Sequence, residues 1–264
     1  MTNQDKTVLI TGATGGIGEE LSIKFAGHGY GLILTARKAG RLEDLAQRLR
    51  NVYGVAVTAI QADFREENAP QQLYDTIVAK GLQVDVLVNN AGFGLAGNFI
   101  HTRPDLQMAM ICVNIVAVTQ LCRLIIPDMV SRGRGRVLNV ASTGGFVCGP
   151  MNSVYCATKA YVLSLSEALA EELENSGVTV TTLCPGATRT GFASRSNMES
   201  TRLFRYGVMA AREVAEAAYA AMSAGKRLEV PGWLNKAVVQ ALRITPRVVA
   251  AKLSKMIQRP LDWE

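Results

Sequence analysis

Seven short runs of aliphatic and β-branched residues alternate with amphipathic stretches along most of this chain, and that alternation leaves few folds open. The runs fall at Thr7–Thr11, Gly31–Ala36, Ala56–Gln61, Val84–Asn89, Arg136–Ala141, Val178–Leu183 and Leu228–Val230. Most are apolar at successive positions and not at every second one, which predicts strands covered on both faces. Helical periodicity fills Gly18–Gly27, Arg41–Tyr53, Ala69–Lys80, Ser153–Asn175 and Ala211–Ala224. Strands that alternate with helices predict right-handed crossovers and a doubly wound α/β fold, with helices on both faces of a mostly parallel seven-stranded sheet.

A chain of 264 residues can bury the core of one such unit. No repeat, low-complexity tract or linker divides it, so a single domain over residues 1–264 is expected, with a core at about 6–230. The tail, about 231–264, reads differently. Leu234, Val238, Ala241 and Leu242 make one apolar face opposite Lys236, Gln240 and Arg243. After a break at Pro246, Val249, Leu253, Met256 and Ile257 repeat the pattern opposite Lys252, Lys255 and Arg259. Two basic amphipathic helices are expected there, packed on the domain, covering a partner subunit or touching a membrane surface.

Net charge is +6, and it is concentrated in this tail. From Lys226 to Glu264 eight Lys/Arg stand against three Asp/Glu, a balance of +5. Such an end suits a solvated helix face, an anionic surface, an acidic carrier or nucleotide phosphates. Aromatics are sparse and no basic–aromatic interleaving points to nucleic acid. The most apolar stretch, Leu106 to Val130, contains Asn114, Gln120 and Arg123 and reads as a buried helix, not a membrane span. Polar residues precede the first strand, so no leader is expected. Five cysteines without a CxxC pair suit buried thiols in a reducing compartment, and a cytoplasmic protein is expected. His28 and His101 lack ligand spacing, so no metal is expected.

The first strand runs into Thr11-Gly12-Ala13-Thr14-Gly15-Gly16-Ile17-Gly18 and then a helix. A glycine-rich strand-to-helix turn lets backbone approach a pyrophosphate, which the helix N-terminus stabilises. The second strand should end beside the adenosine ribose. There the sequence reads Ala36-Arg37-Lys38, with no carboxylate to accept a 2′-hydroxyl and two cations suited to a 2′-phosphate. NADP(H) is therefore the expected cofactor. Further along, Tyr155 and Lys159 are four residues apart, so on a helix they share a face. A neighbouring cation favours the phenolate and brings a phenol toward working range. Ser142 could bind the oxygen that gains or loses the proton.

In these motifs the chain resembles the short-chain dehydrogenase/reductase family, in its single-domain branch with a Rossmann-type fold. The resemblance covers roughly residues 6 to 230 and rests on motifs in the family's order. They are the TGxxxGIG loop at Thr11–Gly18, Asp63, Asn89-Asn90-Ala91-Gly92, Asn114, Ser142, the YxxxK pair, and Pro185-Gly186 with Thr190. The tail is similar to that of a bacterial subgroup of broadly annotated reductases. The resemblance implies hydride transfer at the nicotinamide C4 to or from a carbonyl or secondary alcohol, with Tyr155 passing the proton. It implies that Lys159 lowers the tyrosine pKa and holds the ribose hydroxyls, and that Ser142 binds the carbonyl oxygen. Asn114 would place a water linking Lys159 to solvent. Gly12, Thr14, Gly15, Gly16, Ile17 and Gly18 would hold the pyrophosphate. Asp63 and Phe64 would meet the adenine, and Asn90, Ala91 and Gly92 would line the adenosine channel. Pro185, Gly186, Thr188 and Thr190 would hold the carboxamide. Asn89 is read as structural.

Substrate walls are expected from Phe93, Gly144, Phe146, Met151, Phe192 and Phe204. The segment from Phe192 to Met209, which also carries Leu203, Tyr206, Arg195, Arg202 and Arg205, stands at the family's usual lid position. Its apolar residues suggest a hydrophobic small-molecule carbonyl compound, while its arginines suit either an anionic group on that compound or a solvated loop face. Helices at Leu106–Arg132 and Ser153–Asn175 would form a homodimer or homotetramer interface in this family. Two rival readings are a reductase of 3-oxoacyl thioesters, its basic tail meeting an acidic carrier, and a nucleotide-sensing scaffold without turnover.

Overall fold

The computed structural model describes residues 3, 5–192, 196 and 208–258. Strands β1 (Thr7–Thr11), β2 (Gly31–Ala36), β3 (Val57–Gln61), β4 (Val86–Asn89), β5 (Gly135–Val140), β6 (Val178–Leu183) and β9 (Leu228–Glu229) form one sheet in the order β3-β2-β1-β4-β5-β6-β9. Every pairing is parallel, as the continuous apolar runs predicted. A second, two-stranded pairing joins β7 (Thr188–Arg189) to β8 (Met209–Ala210). These strands are two residues each, too short to leave a periodic signal.

The sheet is apolar throughout because both of its faces are covered. Leu9, Ile33, Leu87 and Val137 point into one core, against Leu73 and Ile77 of α3 (Ala69–Ala79), Leu121 and Ile125 of α5 (Ala117–Ser131) and Val162 of α6 (Ser153–Glu172). Their neighbours Val8, Ile10, Leu32 and Leu34 point into the other. There they meet Leu21 and Phe25 of α1 (Ile17–Gly27), Leu42 and Leu49 of α2 (Ala39–Tyr53) and Val214 and Ala218 of α7 (Ala211–Ser223). Successive residues of a strand face opposite ways, so two cores require two apolar sets in register.

Strand order reverses between β1 and β4, and the two are adjacent in the sheet. The crevice above their carboxyl ends is where open α/β sheets bind ligands. Other boundaries moved by a few residues. Before β4, Asp85 is used as a tie instead of a strand residue, its carboxylate accepting from the Thr7 amide at 3.0 Å. Helix α6 stops at Glu172, short of Asn175, which takes a left-handed φ of 69°.

The apolar stretch expected as one helix is three pieces end to end: α4 (Pro104–Ile111), a π-helical turn (Cys112–Val116) and α5. By length and composition this 28-residue rod could cross a membrane, but half of its most apolar window is buried inside the fold. The tail forms α8 (Trp233–Ile244) and α9 (Arg247–Gln258), divided where Thr245 turns extended before Pro246.

Candidate active site

The turn after β1 is built for close approach. Gly12 and Gly16 have φ of 65° and 57°, the left-handed region glycine enters without strain. A Cβ on Gly18 would stand 2.3 Å from the Gly12 carbonyl oxygen, so the first turn of α1 lies directly against the loop. No side chain caps the start of α1. Its first amides therefore keep their donors for an anion. The neighbouring strand fixes this loop in turn. Thr11 Oγ1 accepts from the amides of Asn90 and Ala91 (both 2.9 Å), and Asn90 Nδ2 donates to the carbonyls of Thr11 (2.9 Å) and Gly12 (3.2 Å). The Asn90 side chain is thus spent on tying β4 to the glycine loop. Asn89 donates to Asn139 at 2.8 Å inside the sheet, in keeping with a structural role.

At the end of β2, Arg37 and Lys38 are exposed, and neither forms an ion pair among the described residues. Sequence reasoning missed a third cation there. Arg41, on the first turn of α2, donates to the Thr14 carbonyl at 3.2 Å and so reaches the glycine loop itself. Its helix spacing from Arg37 was the only signal available. Asp63 is held by Arg65, whose Nε lies 3.0 Å from both carboxylate oxygens. That hydrogen bond keeps the Asp63 carboxyl below its ordinary range. The Phe64 side chain is buried in the core, so only its backbone is available to a nucleotide. Ile17 likewise packs its side chain against the core.

Across the crevice, Tyr155 and Lys159 lie one turn apart on α6, as predicted. Ser142 ends the link from β5, its Oγ accepting from the Gly144 amide at 3.0 Å and donating to the Pro185 carbonyl at 3.4 Å. Ser142 Oγ and the Tyr155 ring both border Gly144, and the serine hydroxyl pulls the phenol's ionisation down. Lys159 is 5% exposed and donates to the Val140 carbonyl at 2.8 Å. Asn114 sits on the π-helical turn, a distortion that re-aims a side chain within a helix. Its amide nitrogen donates to the Phe93 carbonyl and to Thr158 Oγ1, both at 3.0 Å, while its oxygen accepts from the Phe93 amide at 3.1 Å. Thr158 in turn donates to the Tyr155 carbonyl at 2.7 Å. One chain of bonds therefore runs from the loop after β4 to the tyrosine's own turn.

The electrostatics correct one expectation. Lys159 was expected to lower the tyrosine pKa, yet burial raises it well above the ordinary phenol value, and only the Ser142 hydrogen bond pulls the other way appreciably. Part of the ring remains open to solvent, but loss of water around the hydroxyl governs the ionisation. The same dehydration draws Lys159 down to about 8. Charged forms are disfavoured on both sides, and desolvation is the largest cause of each shift.

The lysine has a measurable consequence. In the unfolded chain it holds its proton up to the ordinary value of 10.5, in the folded protein only to about 8. Between those values the unfolded state binds more protons, so stability rises with pH. Relative to Lys159→Met, the wild-type protein should gain unfolding free energy across that window, by about 3 kcal/mol in all. Urea unfolding of both proteins through this range measures it. Parallel pH profiles would show that the lysine is not held in its dehydrated state.

Of the expected substrate residues, Phe192 lies against the tyrosine, with ring centroids 5.5 Å apart, and also covers Gly94. Gly144 lies beside Ser142, Tyr155 and Cys156. Phe93 and Phe146 turn partly into the core. Met151 holds a left-handed φ of 71°, a strained state for a side-chain-bearing residue, and its carbonyl accepts from Gly97 at 2.7 Å. Phe204 lies outside the described residues, as do Arg195, Arg202, Leu203, Arg205 and Tyr206 of the expected lid. Beyond the sheet edge, Thr190 packs on Gly16, and a Cβ on Gly186 would meet the Asn235 carboxamide at 2.5 Å. Thr188 is buried and donates to the Gly186 carbonyl at 3.0 Å. The segment 185–190 thereby spans from the glycine loop to Ser142 and is backed by α8.

A glycine turn at the switch point, with a half-buried tyrosine and a buried lysine across one crevice, places the protein among Rossmann-type oxidoreductases. It belongs to the short chain dehydrogenase family, whose model matches residues 6–201. Members of this family use a nicotinamide cofactor. The chain is 37% identical over 189 residues to the oxidoreductase UcpA of Escherichia coli K12, 71% of each protein. It superposes on a short-chain dehydrogenase from Sphingobium yanoikuyae in complex with NADPH with a TM-score of 0.81 and 33% identity, covering 94% of this chain and 99% of that one. A family member from Burkholderia phymatum in complex with NAD gives 0.81 at 26% identity and covers 100% of both chains.

Proposed function

We propose that this protein is an NADP(H)-dependent reductase of hydrophobic carbonyl compounds, acting on C=O and CH–OH groups. The observation that carries the proposal is the convergence of Asn114, Ser142, Tyr155 and Lys159 on one crevice mouth, tied by the hydrogen bonds from Phe93 through Thr158. The uncapped start of α1 and the tight glycine turn fit the cofactor's pyrophosphate, and Arg37, Lys38 and Arg41 fit a 2′-phosphate better than a free ribose hydroxyl.

When bound, the reduced nicotinamide supplies a hydride to the carbonyl carbon. Ser142 donates a hydrogen bond to the carbonyl oxygen and favours charge as it develops there. Tyr155 gives that oxygen its proton, a role suited to a phenol that burial keeps protonated. Lys159, drawn to about 8, exchanges protons near neutral pH and restores the phenol, and Asn114 orders the path from solvent. Pro185, Gly186, Thr188 and Thr190 would hold the carboxamide end of the cofactor. Phe192 and Gly144 border the acceptor site beside the phenol. An aromatic wall favours an apolar substituent on the substrate.

The test is NADPH oxidation with a panel of aryl and bulky aliphatic ketones, run beside acetoacetyl thioester and repeated with NADH. Turnover of the ketones with NADPH is the expected result. Turnover of the thioester alone would move the assignment to 3-oxoacyl reduction, and turnover with NADH alone would remove the 2′-phosphate argument.

A further inference from the structure

Exposed apolar side chains are concentrated on the tail. Seventeen large hydrophobic residues are exposed among the described residues, and nine of them lie on α8 or α9: Trp233, Leu234, Val238, Ile244, Val248, Val249, Leu253, Met256 and Ile257. Trp233 is 76% exposed and Ile244 87%. Clustering of this kind marks an interaction surface, unlike single apolar residues scattered over a protein.

The helices show which face is free. On α8 the inner face is Val239, buried, with half-buried Asn235 and Leu242, whereas Trp233, Leu234, Val238, Ala241 and Ile244 share the outer arc. On α9 Ala250 and Ser254 are buried, and Val249, Leu253, Met256 and Ile257 form the free arc. Basic residues border both arcs: Arg243 on α8, Lys252 and Lys255 on α9. The tail's ion pairs engage Lys226, Arg227 and Lys236. Arg243, Lys252 and Lys255 form none among the described residues.

We propose that α8 and α9 dock the protein on an anionic lipid surface, lying in the interface with the apolar arcs inserted and the cations at the headgroups. Charge selects this occupant over a second copy of the chain. The sequence has no Asp or Glu between Val230 and Leu261. Self-association through this face would therefore oppose basic residues to basic residues without a counter-charge. A bilayer of anionic lipids supplies both the apolar solvent and the missing negative charge. Docking also has a directional consequence. The inner side of α8 packs against the turn Thr143–Phe146 that follows Ser142, Asn235 backs Gly186, and Arg247 reaches Cys148 at 3.8 Å. The surface that meets lipid is thus carried on the elements that border the crevice mouth.

Flotation of the full-length protein with phosphatidylglycerol-containing vesicles, and with phosphatidylcholine vesicles alone, tests this without reference to activity. Binding is expected to the anionic vesicles only, and to weaken as salt is added. The triple variant Arg243→Gln/Lys252→Gln/Lys255→Gln should lower the partition coefficient roughly a hundredfold. The variant Val238→Glu/Leu253→Glu should abolish binding, with unchanged circular dichroism and NADPH titration showing that the fold is intact. No flotation with anionic vesicles, equal flotation with both lipids, or full binding by both variants would overturn the proposal. A drop in mass by light scattering in Val238→Glu/Leu253→Glu would assign the face to a second copy and overturn it as well.

Discussion

Tyr155→Phe is expected to lower ketone turnover by roughly 10²- to 10⁴-fold while leaving NADPH affinity near the wild-type value. The substitution removes one oxygen from a ring that remains packed against Phe192 and Gly94, so the crevice should keep its shape. What is lost is the phenol hydroxyl on which Ser142 acts. Stopped-flow nucleotide binding with steady-state rates separates the two effects. A variant that retained wild-type turnover would show that the proton comes from elsewhere.

Arg37→Ala should weaken NADPH roughly tenfold to a hundredfold and leave NADH affinity unchanged, since only NADPH presents a 2′-phosphate for a charge-assisted bond. Fluorescence titration with each nucleotide gives both constants. Because Arg41 already donates to the Thr14 carbonyl, Arg41→Ala carries a second signature: it should weaken both nucleotides through the glycine loop. Equal losses for NADPH and NADH in Arg37→Ala would place that guanidinium outside the phosphate site.

The sheet and the reacting groups were legible because each rests on a local pattern. Two-faced strands leave unbroken runs such as Val8-Leu9-Ile10, and the glycine spacing and the Tyr155–Lys159 interval survive in the sequence as fixed offsets. The remaining features depended on the third dimension. Nothing local announces the π-helical turn that aims Asn114, because its residues look like any other part of an apolar helix. Phe64 follows Asp63 in sequence, but its side chain points into the core and not toward a nucleotide. The direction of the Tyr155 shift was misjudged for a similar reason. Spacing reveals the neighbouring ammonium, whereas the dehydration that shifts both groups comes from burial in the folded chain, which no local offset records. In the tail, helical period identified two amphipathic helices correctly, yet only packing could show that their apolar arcs face outward while Val239 and Ala250 make the attachment.

The central claim is that hydride leaves a bound NADPH for a carbonyl carbon held beside Tyr155. Its most direct test follows deuterium into product from NADPH deuterated at C4 in the R and in the S configuration, run in parallel with the purified protein and the best ketone of the panel. The account predicts one deuterium on the carbinol carbon, delivered from only one of the two C4 positions, as expected if Pro185–Thr190 holds the nicotinamide with one face toward the substrate. Saturable NADPH binding with no deuterium transferred to any ketone would contradict it and leave a nucleotide-binding protein without this chemistry.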